Sequence, residues 1–381
     1  MKIATLLSEV FSRKVSVDWV LLSSAVIIVF LGLITMDAFT SDNAFFTKQL
    51  VSLAVALAGF FLATRVDTDA LKRTNVLVTL FVVACTILLI LFALGHEAKG
   101  AQSWFKVGAF TFQPVDAMKL LLILILAKYF SRRHVEIAHF RHIIVSGIYA
   151  AIPFVLVLLQ PDFGSAMIIF FIWLGMILVS GVSKKHLALV FLLGVTVFAG
   201  LWVGVFKTYQ KDRILTFINP LADIHNTGYN SYQSMIAVGS GQVFGKGAGY
   251  GTQSRLRFLP EYQTDFIFSA FAEEWGFIGV VILFILFTTI IVRIVFLSLV
   301  GATNFEMLYG IGVAVFIISH FTVNLGMTMG LLPVTGVTVP FMSYGGSHLL
   351  VEFVALGLLV SMKKTARPAH RGVFKNEFLG A

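Results

Sequence analysis

The sequence predicts an all-α polytopic membrane protein with about ten transmembrane helices and one long extracytoplasmic loop. Two observations support this prediction. Of the 381 residues, 58% are hydrophobic and only 12% are charged, whereas a soluble domain carries about 25% charged residues. The mean hydropathy is +0.92, and the apolar residues are grouped in runs of about 20, the length that crosses a bilayer as a helix.

The apolar runs follow one another along a single predicted membrane domain, residues 1–381. The shorter runs still span a bilayer, because flanking side chains snorkel or the bilayer thins locally. The predicted spans are 19–36, 48–64, 75–94, 115–131, 142–159, 165–181, 186–206, 265–291, 307–329 and 345–362.

The basic residues indicate how these spans are oriented. Cytoplasmic segments of membrane proteins carry an excess of Lys and Arg, and most of the 28 Lys and Arg residues fall on one side when the N-terminus is placed inside. Both termini are therefore predicted to be cytoplasmic, as tails 1–18 and 363–381. The net charge of +9 is then a topology signal, so no nucleic-acid partner is expected.

One outward connection, residues 207–264 between the seventh and eighth spans, is much longer than the usual loop of a few residues. Its aromatic and apolar residues argue against disorder. Tyr232, Met235 and Ile236 recur at helical spacing, which predicts a short helix lying in the membrane interface. Loops of this length are usually functional.

Polar residues recur where spans reach the outer side. Asp116 and Lys119 lie three residues apart at the start of the fourth span, so their side chains share a face and are able to pair. A Lys inside a span faces a cavity or a partner, so the pair either contacts substrate or locks two helices. Asp162 follows Gln160-Pro161 in a short turn, where an aspartate commonly starts a helix.

The long loop is rich in cations. Positive charges beside a hydrocarbon phase suit a phosphate-bearing lipid, and attraction to anionic membrane lipids explains them equally well. These residues are Lys211, Arg213, Lys246, Arg255 and Arg257.

The glycine-rich stretch GSGQVFGKGAGYG, residues 239–251, is not a P-loop. Ser240 stands where that motif requires its first glycine, and Gly247 follows Lys246 where Ser or Thr is required. We interpret the stretch as a flexible turn region that lets the backbone approach a ligand or the membrane.

Asp265 ends the charged segment RFLPEYQTD and directly precedes an apolar helix. An ionised carboxylate is favoured at a helix start by the macrodipole. There it either satisfies free backbone N–H groups or accepts a proton from a sugar hydroxyl beside a phosphate-binding surface. The residues alone do not separate these two readings.

Two further acids, Glu273 and Glu274, lie two turns deeper in the same span. Intramembrane acids are functional candidates. Either they pair with another helix or they contact His320 or His348, whose neighbours Asn324 and Glu352 stand one turn further on. Apart from His225 in the long loop, no His or Cys pattern predicts a dedicated metal site.

Four stretches together resemble the SEDS family (shape, elongation, division and sporulation proteins). They are QPVDAMKL (113–120), QPDFGSA (160–166), the run from Tyr229 to Gly279, and PFMSYGGS (340–347). They occur in the family's order, and the long loop resembles the elongation branch more than the division branch.

The resemblance implies a peptidoglycan glycosyltransferase that polymerises lipid II at the outer face of the bacterial cytoplasmic membrane. It also implies a class B penicillin-binding protein as the transpeptidase partner. The family's essential aspartate, in its TDFIF motif, falls on Asp265. The family motif with a Glu before its Lys has Asp116 here, an acid one methylene shorter.

The mechanism implied by the resemblance is an inverting glycosyl transfer. Asp265 acts as general base on the acceptor 4-hydroxyl, which attacks the donor anomeric carbon, and undecaprenyl pyrophosphate leaves. A divalent cation, Mg²⁺ or Mn²⁺, or basic side chains stabilise the leaving group. The implied substrate-binding residues are Lys119, Asp116, Asp162, Arg213, Arg255, Arg257, Ser343 and Ser347.

Two other functions fit parts of the pattern. A lipid II flippase would use the same basic, outward-facing surface, but it has no need of a general base. A non-catalytic membrane scaffold for cell-wall synthases leaves the polar groups at the outer ends of the spans unexplained. Loss of polymer formation in Asp265→Asn distinguishes the glycosyltransferase from both.

Overall fold

In the computed structural model, long helices form the body of the protein and a small sheet covers part of one end. The structure describes residues 17–37, 44–94, 96–98, 101–107, 110–131, 140–181, 184–204, 206, 211–212, 215, 217, 228–256, 258–301 and 303–376.

The helices and strands of the described residues, in chain order, are α1 (Trp19–Asp37), α2 (Ala44–Ala63), α3 (Thr68–Leu71), α4 (Thr74–Leu94), β1 (His96–Ala98), β2 (Ala101–Val107), β3 (Phe110–Phe112), α5 (Pro114–Ser131), α6 (Phe140–Leu159), α7 (Phe163–Val179), α8 (Lys184–Gly204), α9 (Tyr229–Ser240), α10 (Thr252–Arg255), α11 (Ile267–Leu299), α12 (Asn304–Thr328) and α13 (Gly346–Asn376).

Each predicted span falls on one long helix, so the prediction of an all-α polytopic membrane protein is confirmed. By length and composition, seven of the described helices are apolar enough to cross a membrane. Helix α7 and the apolar part of α8 are shorter, and α5 carries Asp116, Lys119 and Lys128. Helix α11 runs to Leu299, well beyond the predicted end at residue 291.

A three-stranded antiparallel sheet departs from the all-helical prediction. Its strands lie in the order β1, β2, β3, and Phe105 faces Phe112 while Val107 faces Phe110. Residues 105–107 and 110–112 alternate apolar and polar residues on either side of Gly108, which is the pattern of a hairpin. The sheet contacts α4, α5 and α13.

Glycines allow α2 and α13 to pack closely over much of their length. A Cβ on Gly357 would lie 2.5 Å from the carbonyl oxygen of Phe60, and one on Gly59 would lie 2.7 Å from the side chain of Leu350. Small residues at helix contacts are the usual way for membrane helices to bring their backbones together. This pair supports the start of α13, where part of the candidate site lies.

Helix α11 is broken at Gly276, which has φ 62° and ψ −165°. Backbone at membrane depth tolerates a break only where other protein groups take up the freed hydrogen bonds. The glycine-rich stretch provides them. The hydrogen bonds run from Lys246 N to Glu273 O (3.0 Å), Gly247 N to Glu274 O (2.9 Å), Phe277 N to Gln242 O (2.9 Å) and Ile278 N to Val243 O (3.1 Å).

The interpretation of residues 239–251 as a turn region is confirmed, since residues 241–244 and 248–249 form turns, and the backbone of the stretch approaches α11. The stretch is fixed along α11 by backbone hydrogen bonds on both sides of Gly276, which a single sequence does not reveal. The predicted short helix before it is confirmed as α9, and its buried Ser234 hydroxyl lies 2.6 Å from that of Ser269 on α11.

An ion pair ties the end of α11 opposite Asp265 to the segment before α1. Arg293 donates from Nε to Asp18 Oδ1 at 3.2 Å and also donates from its terminal nitrogen to the other oxygen. Burial alone would raise the pKa of the Asp18 carboxyl, but these bonds, the Leu21 N–H and the Arg293 charge hold that pKa below its ordinary value.

Candidate active site

Asp265 lies in the turn that leads into α11. The N-cap residue of the helix is Phe266, which makes no side-chain cap hydrogen bond, so Asp265 is one residue outside the cap position. Asp265 is partly exposed, whereas the residues from Phe266 to Glu274 behind it are buried. The carboxylate therefore stands at the boundary between an accessible turn and the packed interior.

Three consecutive backbone carbonyls fix the position of this turn. Tyr344 N donates to Gln263 O at 2.9 Å, and Ser343 Oγ donates to Thr264 O at 2.7 Å. The third carbonyl, that of Asp265 itself, accepts from Asn324 Nδ2 at 2.8 Å. The donors come from α12 and from the connection between α12 and α13, so both elements position Asp265.

Residues 336–345 of that connection form what we call the cradle segment. Gly336 has φ 74°, and a Cβ built on it would lie 3.6 Å from Asp265 Oδ2. The carboxylate is therefore next to the backbone of the cradle segment. Gln49 on α2 braces the other end, because its Nε2 donates to Ser343 O at 3.2 Å.

Below the cradle segment lies a buried group of charged side chains, which we call the ion cluster: Asp116, Lys119, His320, His348 and Glu352. Lys119 Nζ lies 3.1 Å from Asp116 Oδ1, and both side chains are 2% exposed. Lys119 Nζ also lies 3.4 Å from His320 Nε2 on α12. The predicted pairing of Asp116 and Lys119 is confirmed, and the pair joins α5 to α12.

His348 on α13 completes the ion cluster. Its Nδ1 lies 3.5 Å from Asp116 Oδ1, and its Nε2 lies 3.0 Å from Glu352 Oε1. The rings of His320 and His348 have centroids 4.7 Å apart. All five members carry a charge or a titratable ring inside the bundle, where such groups persist only when paired. The cluster thus holds α5, α12 and α13 together.

Two contacts connect the ion cluster to the cradle segment. Phe341 N donates to Glu352 Oε2 at 2.8 Å, and His320 Nδ1 lies 3.3 Å from Thr338 O. Phe341 has φ 61°, a conformation that a bulky residue adopts only when its surroundings enforce it. The cluster therefore supports the same segment that holds the turn of Asp265.

The other predicted site residues lie in different settings. Asp162 is the N-cap of α7 and accepts from Ser165 N at 3.0 Å, as a helix-start aspartate does. Ser347 Oγ lies 3.4 Å from Asp116 Oδ2. Arg255 ends α10 and is exposed. Arg213 and Arg257 lie outside the described residues.

The hydroxyl of Ser343 forms hydrogen bonds with backbone groups of the protein. Besides donating to Thr264 O, it accepts from Val339 N at 2.8 Å, and the residue is 5% exposed. Its hydroxyl therefore joins the cradle segment to the turn of Asp265 and contacts protein groups.

The expected contact of Glu273 or Glu274 with the histidines is not observed. Glu273 is fully buried and its Oε1 lies 2.7 Å from Lys246 Nζ, while Glu274 Oε1 accepts from Gly249 N at 2.6 Å. Both acids face the loop that docks at Gly276, because the break in α11 brings that loop against them. The alternative, a contact with another helix, is observed for Glu273: its Oε1 accepts from Ser240 Oγ of α9 at 3.4 Å and from Thr252 Oγ1 of α10 at 3.0 Å.

Sequence reasoning did not assign a role to Asn324, Glu352, Gln49 or Gly336. The first three are polar residues buried in apolar helices, at 0%, 1% and 0% exposure, and polar residues within spans are the signal that points to them. Gly336 carries no such signal, because its importance lies in its φ and in its distance from Asp265.

Comparisons with known proteins place the chain among bacterial cell-cycle proteins. The family model described as cell cycle protein, FtsW/RodA/SpoVE, matches residues 13–368. Stage V sporulation protein E of Bacillus subtilis is 34% identical over 372 residues, covering 93% of this chain and 99% of that protein. Peptidoglycan glycosyltransferase MrdB of Escherichia coli is 31% identical over 355 residues, covering 93% and 95%.

Comparison with solved structures gives the same family. A chain of a peptidoglycan synthase complex that coordinates polymerization and crosslinking superposes with a TM-score of 0.79 at 29% identity, covering 92% of this chain and 98% of that one. The rod shape determining protein RodA of Thermus thermophilus gives a TM-score of 0.68 at 28% identity, covering 92% and 97%. The protein is therefore a member of the FtsW/RodA/SpoVE family, the SEDS family whose motifs its sequence carries.

Proposed function

We propose that the protein is a peptidoglycan glycosyltransferase that polymerises lipid II during cell elongation, with Asp265 as general base. The observation that carries the proposal is the anchored carboxylate: a partly exposed Asp265 whose turn is held by Tyr344, Ser343 and Asn324. Two relatives that each cover 93% of this chain bear the names probable peptidoglycan glycosyltransferase FtsW and peptidoglycan glycosyltransferase MrdB.

The length of α11 supports a site in the outer headgroup layer. Of its 33 residues, the 23 after the break at Gly276, residues 277–299, form a continuous helix that is about 35 Å long at 1.5 Å per residue. Because the hydrocarbon core of a bilayer is about 30 Å thick, the helix extends beyond it. A carboxylate just before such a helix lies where the lipid part of a substrate meets its sugar part.

The reaction that we assign to the site is a single displacement. The Asp265 carboxylate accepts the proton of the acceptor 4-hydroxyl as that oxygen bonds to the anomeric carbon of the donor. The bond from this carbon to the pyrophosphate oxygen breaks, and undecaprenyl pyrophosphate leaves with the electron pair. The anomeric configuration inverts. A positioned base of this kind contributes roughly 10²–10⁴-fold to the rate.

The negative charge that develops on the leaving group needs cations. We assign this role to Arg213, Arg255 and Arg257 of the long loop. Lys119 and Asp116 are 2% exposed and paired with each other, so their geometry favours a bracing role. The same holds for Ser343, Ser347 and Asp162, whose polar atoms contact protein groups.

A divalent cation, Mg²⁺ or Mn²⁺, is also part of the proposal, but the protein does not form a cage for it. In the described part of the chain, no group of three or more His, Cys, Asp or Glu side chains is arranged to hold a metal ion. Pyrophosphate oxygens are the ligands that these ions prefer, so the ion would be held mainly by the substrate. No step of the reaction is assigned to it.

The proposed setting is the bacterial cytoplasmic membrane, with the whole chain, residues 1–381, as one membrane domain among membrane lipids. Both termini are cytoplasmic in this proposal and the loop 207–264 lies outside, as the distribution of basic residues indicates. The proposed partner is a class B penicillin-binding protein that crosslinks the product. The similarity to a chain of a complex coordinating polymerization and crosslinking supports this.

Reconstitution with labelled lipid II tests the proposed function. Wild type, Asp265→Asn and the matched control Glu261→Gln are compared, with Mg²⁺ or Mn²⁺ and with or without a class B penicillin-binding protein. Glu261 is an exposed carboxylate of the same turn. Glycan strands from wild type and Glu261→Gln but not from Asp265→Asn are expected. Polymer formation by Asp265→Asn would overturn the assignment of Asp265 as general base. Translocation of lipid II without polymer in every sample would favour a flippase.

A further inference from the structure

We infer that Glu352 is a positioning residue for Asp265: through the backbone of Phe341 it fixes the cradle segment that holds the turn of the catalytic carboxylate. This inference rests on the proposed function, because it assigns a role relative to the general base. Glu352 itself does not contact the turn, and its effect passes through residues 336–345.

Both oxygens of Glu352 are engaged by the protein. Oε2 accepts from Phe341 N at 2.8 Å, and Oε1 lies 3.0 Å from His348 Nε2. The side chain is 1% exposed. A carboxylate placed in this way does not reach a substrate, so any influence on the reaction is exerted on its neighbours.

The contact with Phe341 is made where the cradle segment is strained. Phe341 has φ 61° and its ring is buried against Phe353 with centroids 5.6 Å apart. A left-handed conformation is unfavourable for a non-glycine residue, so some other contact has to enforce it. A charge-assisted hydrogen bond from the backbone N–H to a buried carboxylate is among the strong ones.

From Phe341 the effect reaches Asp265 in two steps. Two residues along, Ser343 donates to Thr264 O at 2.7 Å, and Tyr344 N donates to Gln263 O at 2.9 Å. These are the two carbonyls directly before Asp265. Misplacement of a catalytic group by about 1 Å costs about 10²-fold in rate, so a relaxed cradle segment is expected to slow turnover.

The test compares Glu352→Ala, Glu352→Gln and the control Glu306→Ala. Gln keeps an oxygen that accepts from Phe341 N. Glu306 is an equally buried acid on α12, but it pairs with Lys72 at 3.0 Å and contacts no part of the cradle segment in the described contacts. The readouts are kcat and KM for lipid II polymerisation, and amide hydrogen exchange in peptides covering residues 262–268 and 336–345.

For Glu352→Ala we expect kcat to fall about 10²-fold with KM unchanged, and exchange to rise in both peptides. Glu352→Gln is expected to recover most of kcat, and Glu306→Ala to keep wild-type kcat and exchange. A raised KM with wild-type kcat would make Glu352 a substrate contact. Unchanged exchange at 262–268, or a Gln variant as impaired as Ala, would also overturn the inference.

A second variant covers the case in which Glu352→Ala does not fold. Ser343→Ala removes the hydrogen bond from the cradle segment to Thr264 O, so amide exchange at residues 262–268 is expected to rise. Unchanged exchange there in the folded variant would contradict the inference. The exchange readout does not depend on activity. It therefore decides the positioning role even if Asp265→Asn still polymerises and the proposed function fails.

Discussion

Asn324 holds Asp265 by its backbone. The side-chain amide of Asn324 donates one N–H to the carbonyl oxygen of Asp265 at 2.8 Å and the other to Val337 O at 2.7 Å. One fully buried side chain on α12 thus joins the turn before α11 to the connection before α13. The spacing between the turn of Asp265 and the cradle segment depends on this amide.

Replacing Asn324 by Leu removes both donors while keeping a similar volume. Each buried carbonyl left without a partner costs about 1–3 kcal/mol, so thermal unfolding in detergent is expected at a lower temperature and polymerisation is expected to slow at unchanged KM. Thr328→Val is the control, because Thr328 Oγ1 donates only within α12, to Asn324 O at 2.9 Å and Leu325 O at 3.0 Å. Wild-type turnover in Asn324→Leu would contradict the assignment.

Gly336→Ala is expected to impair the enzyme locally. Its φ of 74° costs Ala roughly 1 kcal/mol relative to glycine, and the new methyl group would stand 3.6 Å from Asp265 Oδ2. Polymerisation rates per folded protein measure the effect. The matched control is Gly345→Ala in the same segment, where φ is not left-handed and a Cβ would meet the Cβ of His348 at 3.8 Å and not the carboxylate. Equal activity of the two variants would show that the carboxylate does not depend on this approach.

Lys246→Met is expected to loosen the loop docked on α11. It leaves the fully buried carboxylate of Glu273 without its cation, and breaking a buried pair is strongly destabilising, although the 28% exposure of Lys246 lessens the cost. Chymotrypsin cleavage at Phe244 or Tyr250, both exposed, is the measurement. The exposed Lys48→Met serves as control. Cleavage at wild-type rates in Lys246→Met would mean that the backbone hydrogen bonds at Gly276 suffice.

Asp18 gives a pH-dependent part of the stability. Because its pKa is held below the ordinary value, its contribution is present above the unfolded-state pKa, about 3.9, and is lost as the pH falls through the folded-state pKa. We expect Asp18→Asn to unfold at a lower temperature than wild type at pH 7, with the difference shrinking below about pH 4. Asp69→Asn, at a 66% exposed partner of Lys72, is expected to change little.

The helices were predictable because the bilayer imposes a simple rule on the sequence. Each span needs a run of apolar residues, and every predicted run falls on a helix. The sheet at residues 96–112 was not predicted because two of its strands have only three residues, too few for the alternation of a strand to stand out. The predicted span ends at residue 291, two residues before Arg293, whereas the helix continues to Leu299 and the charge of Arg293 is paired with Asp18.

The candidate site was predictable only in part. Asp265 and the pair of Asp116 and Lys119 stand out, since charged residues are rare within spans. The contacts of Glu352 with Phe341, and of Ser343 with Thr264, join positions 11 and 79 residues apart. No local pattern encodes such contacts, because they follow from how α12, α13 and the start of α11 pack together.

The long helix α11 also makes the protein sensitive to the thickness of its membrane. Its far end is clamped by Arg293 and Asp18, and 17 residues, about 25 Å of helix, separate Arg293 from the break at Gly276. This helical segment has a fixed length. The protein therefore sets the position of Asp265 along the membrane normal, whereas the lipid sets the position of the headgroups. Acyl chains of different length would therefore shift the pyrophosphate of a membrane-bound substrate up or down against a fixed carboxylate.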